Sequence, residues 1–378
     1  MSRKIKVLQL QNFYNVSTSD LAEQIVRSLD PARYEVVSAY LSRKPQEGQK
    51  LSEASRSVYF EFSDAELKGL RLKALWRLYQ FCRQERFDVV ICHRFKSLSI
   101  MLMINLVLRT PLGIGVTHSM GEFDRFYRRA QIRLLGRRGW YFVGVSPAVR
   151  QGLLEYRRCF NEHSTFSITN AIDIEQAVAL QLPRDQARQE LGLPSDFVML
   201  GALGRLVPVK GHRYLIEAFA RLKDKYSDVQ LAIIGEGRAR ADLEAQVERL
   251  GLTGRVHLVG RRPDATQYVR AFDIWVMPSL AEGLGLALLE GMSGRLPVIA
   301  SDVPAMRPLI EGAGGIAVPP ADVEALTVAL DGYLSKTDAE RRALGQQTFD
   351  YLCREHAIED YREAYRRLIE QGLAAKCR

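Results

Sequence analysis

Short apolar runs of strand length recur along this chain with helix-length segments between them, and this alternation constrains the fold more than any other property. In the first half the runs are KVLQL (6–10), YEVVSAYL (34–41), VYF (58–60), DVVICH (88–93), LGIGVTH (112–118), YFVGVS (141–146) and FSIT (166–169). Helical stretches such as 19–29 and 70–84 lie between them. The second half repeats the pattern with FVMLGALG (197–204), QLAIIG (230–235), VHLVG (256–260), IWVMP (274–278), PVIAS (297–301) and GIAV (315–318). Strands that alternate with helices form parallel sheets covered on both faces. A chain of 378 residues exceeds one hydrophobic core. The expectation is therefore α/β: two Rossmann-like, doubly wound domains, the first over 1–180 and the second over 181–352. The polar stretch 173–194 is read as the linker, and 353–378 as a closing helix.

In open parallel sheets ligands bind beyond the carboxyl ends of the strands. The polar residues of the second half fall there: Arg205 and Lys210 after its first strand, Gly235, Glu236 and Gly237 after the second, Arg261 after the third, and Ser279 and Glu282 after the fourth. The stretch PSLAEGLGLALLEGMSG (278–294) sets Glu282 and Glu290 among apolar residues and glycines. Buried charges need partners, so two cations and two carboxylates at strand ends indicate an anionic ligand that also carries hydroxyl groups. Gly283, Leu284 and Gly285 precede a helical run, and the free N–H groups of a helix start make an anion site. Arg205 offers a planar fork of donors and Lys210 a mobile point charge for the same oxygens. Eight residues of helix rise about 12 Å, and the carboxylate pairs of glycoside hydrolases lie closer than about 9.5 Å. An acid/base couple is therefore the poorer reading of the two glutamates.

The charge is unevenly spread. Residues 1–180 hold 27 Lys and Arg against 17 Asp and Glu, of 53 and 44 in the whole chain. Within them, 68–158 holds 18 basic and 5 acidic residues, densest in FDRFYRRAQIRLLGRRGWYF (123–142). Basic residues interleaved with aromatics and leucines fit an anionic membrane surface or a phosphorylated acceptor. No nucleic-acid motif accompanies the charge. The run LSIMLMINLVL (98–108) contains Asn105 and is about half of the ~20 residues a membrane span requires, so a core helix is expected. Five widely spaced cysteines without a CxxC pair, and an N-terminus without a secretory signal, read as reduced thiols in a cytoplasmic protein.

Arg205 with Lys210-Gly211, the Gly235-Glu236-Gly237 turn, Pro278-Ser279 and the Glu-x7-Glu spacing from Glu282 to Glu290 resemble the family 4 retaining glycosyltransferases of the GT-B fold. The resemblance implies a C-terminal domain that binds a nucleotide-diphosphate sugar and an N-terminal one that binds the acceptor; the basic, aromatic N-terminal half suggests a lipid-linked or phosphorylated glycan at the cytoplasmic membrane face, such as an intermediate of envelope polysaccharide. It implies that Arg205 and Lys210 hold the diphosphate, Glu282 touches the transferred sugar and Glu290 binds the ribose. His118 matches a family histidine beside the donor sugar. The last helix would return to the N-terminal domain. Retention without a protein nucleophile, and no cofactor, are further implications. No Asp-x-Asp occurs in the chain, so a metal-chelated donor is not expected. The first half departs from the family where Gln11–Thr18 replaces a glycine-rich loop and Asn170-Ala171-Ile172-Asp173 replaces Asn-Gly-Ile-Asp. Two other readings stay open: a nucleotide-sugar epimerase of the same fold, and a non-catalytic protein of anionic membranes. A nicotinamide dehydrogenase is disfavoured, because no GxGxxG follows a strand with an acidic residue about 20 positions on.

Overall fold

The computed structural model describes residues 3–14, 16, 20–136 and 139–375. The chain divides into two compact units, residues 1–170 with 358–378, and residues 171–357. In the first unit the order is β1 (Ile5–Phe13), α1 (Leu21–Ser28), β2 (Tyr34–Ser42), β3 (Arg56–Tyr59), α2 (Leu72–Glu85), β4 (Val89–His93) and α3 (Arg94–Leu108). It continues through β5 (Leu112–Thr117), α4 (Phe126–Leu135), β6 (Trp140–Gly144), α5 (Pro147–Leu154) and β7 (Thr165–Ser167). The second unit begins with α6 (Ile174–Leu180), α7 (Arg184–Leu191), β8 (Val198–Leu203), α8 (His212–Leu222), β9 (Val229–Ile234), α9 (Arg240–Arg249) and β10 (Val256–Gly260). Then come β11 (Ile274–Met277), α10 (Leu286–Ser293), β12 (Val298–Ser301), α11 (Arg307–Gly312), β13 (Ile316–Val318), α12 (Val323–Leu334) and α13 (Asp338–Glu355). The last helix, α14 (Ile358–Ala374), belongs to the first unit.

Both sheets are parallel, as the alternation requires. The first runs β3-β2-β1-β4-β5-β6-β7 and the second β10-β9-β8-β11-β12-β13. Central parallel strands are covered on both faces and so read as continuous apolar runs. All five residues of β4 are buried, as are all six of β5 and of β9. In each sheet the strand order reverses once, between β1 and β4 and between β8 and β11, and a reversal leaves a crevice at the carboxyl edge. Crevices of this kind are where open parallel sheets bind ligands.

The polar stretch expected to be a linker is ordered. It forms α6 and α7, and the division falls at residue 170 rather than 180, because Ile172 and Ala177 join the core of the second unit. Arg188 of α7 is 1% exposed. It donates to the carbonyls of Ala271, Ser195 and Phe197 at 2.6–2.8 Å and to Asp273 Oδ2 at 2.8 Å. The closing helix starts at 358, five residues later than the sequence suggests, because α13 runs through Cys353 to Glu355. It packs on α1: Tyr361 donates to the Leu21 carbonyl at 3.1 Å, and Arg33 pairs with Glu370 at 2.6 Å.

The apolar run 98–108 is α3, buried from Leu98 to Leu102. Its Asn105 side chain accepts from Thr110 N at 2.7 Å, closing the helix end. Among the described residues no helix is long and apolar enough to cross a membrane. Cys82, Cys92, Cys159 and Cys353 are free, and Cys377 lies outside the described residues. The basic segment 123–142 is only partly helical. It contains α4 and the start of β6, while Arg137 and Arg138 lie outside the described residues, as do Asn15, Ser17 and Thr18 of the segment after β1.

Candidate functional site

The second unit's crevice is built by four loops that hold one another through their backbones. Leu206 N, after β8, donates to the Glu236 carbonyl after β9, and Ala239 N returns a bond to the Leu206 carbonyl. Gly235 N donates to the Gly260 carbonyl at the end of β10, and Leu280 N, after β11, donates to the Val209 carbonyl at 2.8 Å. Glycine is required where these backbones meet. A Cβ on Gly235 would stand 1.9 Å from the Gly204 carbonyl oxygen, and one on Gly237 would stand 2.3 Å from that of Leu206. Gly211 has φ 69°, and a Cβ there would stand 1.9 Å from the Pro278 carbonyl oxygen. The Gly-Glu-Gly turn thus has a structural cause of its own.

Lys210 and Glu282, 72 residues apart in sequence, are brought together here. Lys210 ends a single 3-10 turn, Pro208–Lys210, and its Nζ lies 2.5 Å from Glu282 Oε1. Both side chains are largely covered, at 19% and 13% exposure. An ammonium has three donors, so one is spent on the glutamate and two are left for other oxygens. Arg205 is exposed on the same loop. Gly283, Leu284 and Gly285 are buried, and Gly285, at φ 98°, starts α10. Met306 crowds Gly285 so closely that a Cβ would meet its Sδ at 2.9 Å. Ser279 is buried beside this turn. Glu290, in the second turn of α10, is half-buried and accepts from Thr266 Oγ1 at 3.0 Å. Glu236 is the exception among the carboxylates, because it is exposed at 48% and pairs with Arg240 at 3.3 Å. Arg261 is exposed after β10.

His212 was not singled out by its pattern. As the first residue of α8 it is buried, and its pKa is pushed down to about 4, by burial first and then by the Lys210 ammonium. Its place two residues after Lys210 was the available signal.

In the first unit His118 follows β5, and its Nε2 lies 3.2 Å from His93 Nδ1 at the end of β4. Sequence reading missed His93, which looks like the last residue of an ordinary buried strand. Strand order makes it a partner, because β4 and β5 pair in register from Val89–Leu112 to His93–Val116. Burial pushes His93 down to about 3 and His118 well below the usual imidazole range. The pair is therefore neutral, with one ring donating and the other accepting. Glu122 accepts from the backbone N–H groups of Phe95 and His118, at 2.5 and 3.3 Å, and burial raises its pKa. Neither imidazole is expected to titrate between pH 8 and 5, since burial disfavours the charged form. Histidine ring NMR checks this, and a midpoint near the unperturbed ~6.5 at either residue would contradict the buried pair.

A site with converging cations, a helix start and carboxylates at a switch point can hold a phosphorylated, hydroxyl-bearing ligand. Two family models, both of glycosyltransferases, match the chain. The family model "Glycosyltransferase Family 4" matches residues 19–176, and "Glycosyl transferases group 1" matches residues 183–350. The chain is 30% identical to D-inositol 3-phosphate glycosyltransferase of Corynebacterium urealyticum, over 55% of this chain and 53% of that protein. It is 28% identical to the lipopolysaccharide core biosynthesis mannosyltransferase LpcC of Rhizobium leguminosarum bv. viciae, over 71% of this chain and 74% of that protein. Several other relatives match over only 35% to 42% of their own length. Among solved structures, Anabaena Alr3699/HepE in complex with UDP superposes with a TM-score of 0.77 at 18% identity, over 97% of this chain and all of that one. At that identity the likeness is one of fold.

Proposed function

The chain belongs to the family 4 glycosyltransferases of the GT-B fold, and from that premise we propose that it is a retaining, metal-independent enzyme acting on a nucleotide-diphosphate sugar. The acceptor is a glycan or lipid-linked glycan of lipopolysaccharide or another envelope polysaccharide, met at the cytoplasmic face of the membrane. The observation that carries this reading is the Lys210–Glu282 pair at the β8/β11 crevice, with Arg205 exposed on the same loop as Lys210 and α10 beginning shortly after Glu282. The acceptor class is supported by the relative named for lipopolysaccharide core biosynthesis, and the donor class by the UDP in the HepE complex.

Breaking the bond from the anomeric carbon to the phosphate oxygen leaves the electron pair on the diphosphate and positive charge on the sugar. Donors already in place around the phosphate oxygens stabilise that transition state. Arg205 supplies a fork, Lys210 its two free N–H groups, and the first N–H groups of α10 the helix-end charge. Glu282 orients Lys210 and remains within reach of sugar hydroxyls. The acceptor hydroxyl attacks the face the diphosphate leaves, and its proton passes to the departing phosphate oxygen. His118, neutral and held by His93, offers a hydrogen-bonding group to a sugar without adding charge.

Two outcomes test the donor assignment. Glu290 sits where a carboxylate can accept from a ribose diol, so Glu290→Ala is expected to weaken nucleotide binding by about tenfold, the loss of one charge-assisted hydrogen bond of ~1.5 kcal/mol. Calorimetry with UDP and GDP reads it, and an unchanged affinity would remove Glu290 from the ribose. With Arg205 and Lys210 as the counter-charge, transfer is expected to persist in EDTA. Complete loss that magnesium or manganese restores would overturn metal independence. The same assay, run without acceptor, would reveal epimerised nucleotide sugar if the enzyme were an epimerase. Exposed Phe126, Tyr127 and Leu134 on α4, interleaved with Arg125, Arg128, Arg129 and Arg133, fit contact with an anionic membrane.

A further inference from the structure

At the other switch point, between β1 and β4 in the first unit, lies a cavity of about 700 Å³. Six cations line it: Lys68, Arg71, Arg94, Lys96, Arg125 and Arg128. The only carboxylate in its wall is Glu122, and both of its oxygens accept from backbone N–H groups. None of the six cations has a carboxylate within 4 Å among the described residues, whereas Lys73, two positions beyond Arg71, is paired with Glu66. Arg71 and Arg128 are held instead by neutral oxygens. Arg71 donates to Ser99 Oγ at 3.1 Å, and Arg128 donates to the Glu122 carbonyl at 2.6 Å while lying 4.8 Å over the Phe95 ring.

Six cations set against one carboxylate repel one another unless an anion occupies the cavity, and the loss is greater where water is partly excluded. Burial already lowers the pKa of Arg71. Arg94 and Lys96 belong to the first turn of α3, whose N–H groups at Phe95 and Ser97 are already taken by Glu122 and by the Asn12 side chain. Arg71 and Arg94 are both held at left-handed φ, 53° and 71°, Arg71 as the residue that caps the start of α2. A single carboxylate would leave most of this charge unmatched, whereas a phosphate or diphosphate with several oxygens matches guanidinium forks bidentately. Exposed Leu70 and Leu72 flank Arg71, and exposed Phe126 adjoins Arg125, so apolar surface lies beside the charge. Glu122 connects the cavity wall to His118 through the backbone.

We infer that this cavity binds the phosphate or diphosphate group of the acceptor, so that the enzyme extends a phosphorylated or diphosphate-linked glycan rather than a neutral sugar. The inference rests on the reading of the first unit as the acceptor domain. Its test is titration of the full chain with pyrophosphate in the presence of excess UDP, by calorimetry. One binding event is expected, weakened about tenfold in Lys68→Gln and in Lys96→Gln, and abolished in Lys96→Glu. Lys68 is exposed and Lys96 half-buried, neither side chain has a hydrogen-bond or ion-pair partner among the described residues, and an unaltered thermal transition confirms the fold. Unchanged pyrophosphate affinity in Lys96→Glu overturns the inference. So does flotation with anionic phosphatidylglycerol vesicles that Lys96→Glu abolishes while pyrophosphate fails to bind, which would make the cations a lipid-headgroup surface. If UDP itself does not bind the unsubstituted chain, the donor reading of the second unit fails, and the pyrophosphate result stands by itself.

Discussion

Arg205→Ala and Lys210→Ala are each expected to lower turnover by about 10²-fold or more, the effect of removing one preorganised donor from a developing oxyanion. The two losses differ in kind. Arg205 is exposed on the loop after β8, so its removal takes away two donors and one charge. Lys210 is bonded to Glu282 at 2.5 Å in a largely covered position. Its removal also leaves a carboxylate beside the diphosphate, where like charges repel. Lys210→Ala is therefore expected to be the worse of the two, and Lys210→Ala with Glu282→Gln to recover part of the loss. A double-mutant cycle on kcat reads this coupling. Near-normal turnover in either single variant removes that residue from the mechanism, and strict additivity of the pair would show that Glu282 acts apart from Lys210.

The second large effect is on stability. Arg188→Ala is expected to destabilise the second unit by about 3–5 kcal/mol, the usual result of removing one partner of a buried ion pair. Four carbonyls and Asp273 converge on this guanidinium, and Asp273 Oδ2 also accepts from Met199 N at the edge of β8. Arginine thus joins α7 to the strand that carries the Arg205 loop. Thermal unfolding followed by intrinsic fluorescence is expected to show a transition about 10 °C lower. A transition within 2 °C of the parent would mean that α7 contributes little, as a linker would. Arg188→Lys is expected to recover less than half of the loss, because one ammonium cannot reach the same set of acceptors.

Arg188 illustrates where sequence reading fell short. The segment LPRDQARQELGLPSD is polar, and polarity between two strand patterns is the ordinary mark of a connection. Arg188, unlike Arg184 of the same segment, is buried because its acceptors come from residues 83–85 positions away as well as from its own neighbourhood. The same limit applies to His93. Its five-residue strand is apolar and buried, so nothing local marks the histidine, and only the pairing of β4 with β5 sets it against His118. The six-cation cavity was legible as an excess of charge over 68–158 but not as a site. Lys68, Lys96 and Arg128 are spread over 60 residues, and the chain gives no sign of which basic residues share a cavity and which are solvated separately.

The sequence by itself determined the class of fold and which polar residues lie at the carboxyl ends of its strands. Apolar runs of strand length can be buried on both faces only in a parallel sheet with helices, and the polar residues that interrupt them must then lie at the strand ends. It also marked the residues from Arg205 to Glu290 as one group. Only the tertiary structure decided how they combine: Lys210 bonds to Glu282, Thr266 reaches Glu290, and Glu236 turns away to Arg240. The physical reason is that strand order, set by long-range pairing, selects which loops are neighbours. Placing β8 beside β11 makes one crevice of two loops over 70 residues apart, and placing β1 beside β4 does the same in the first unit.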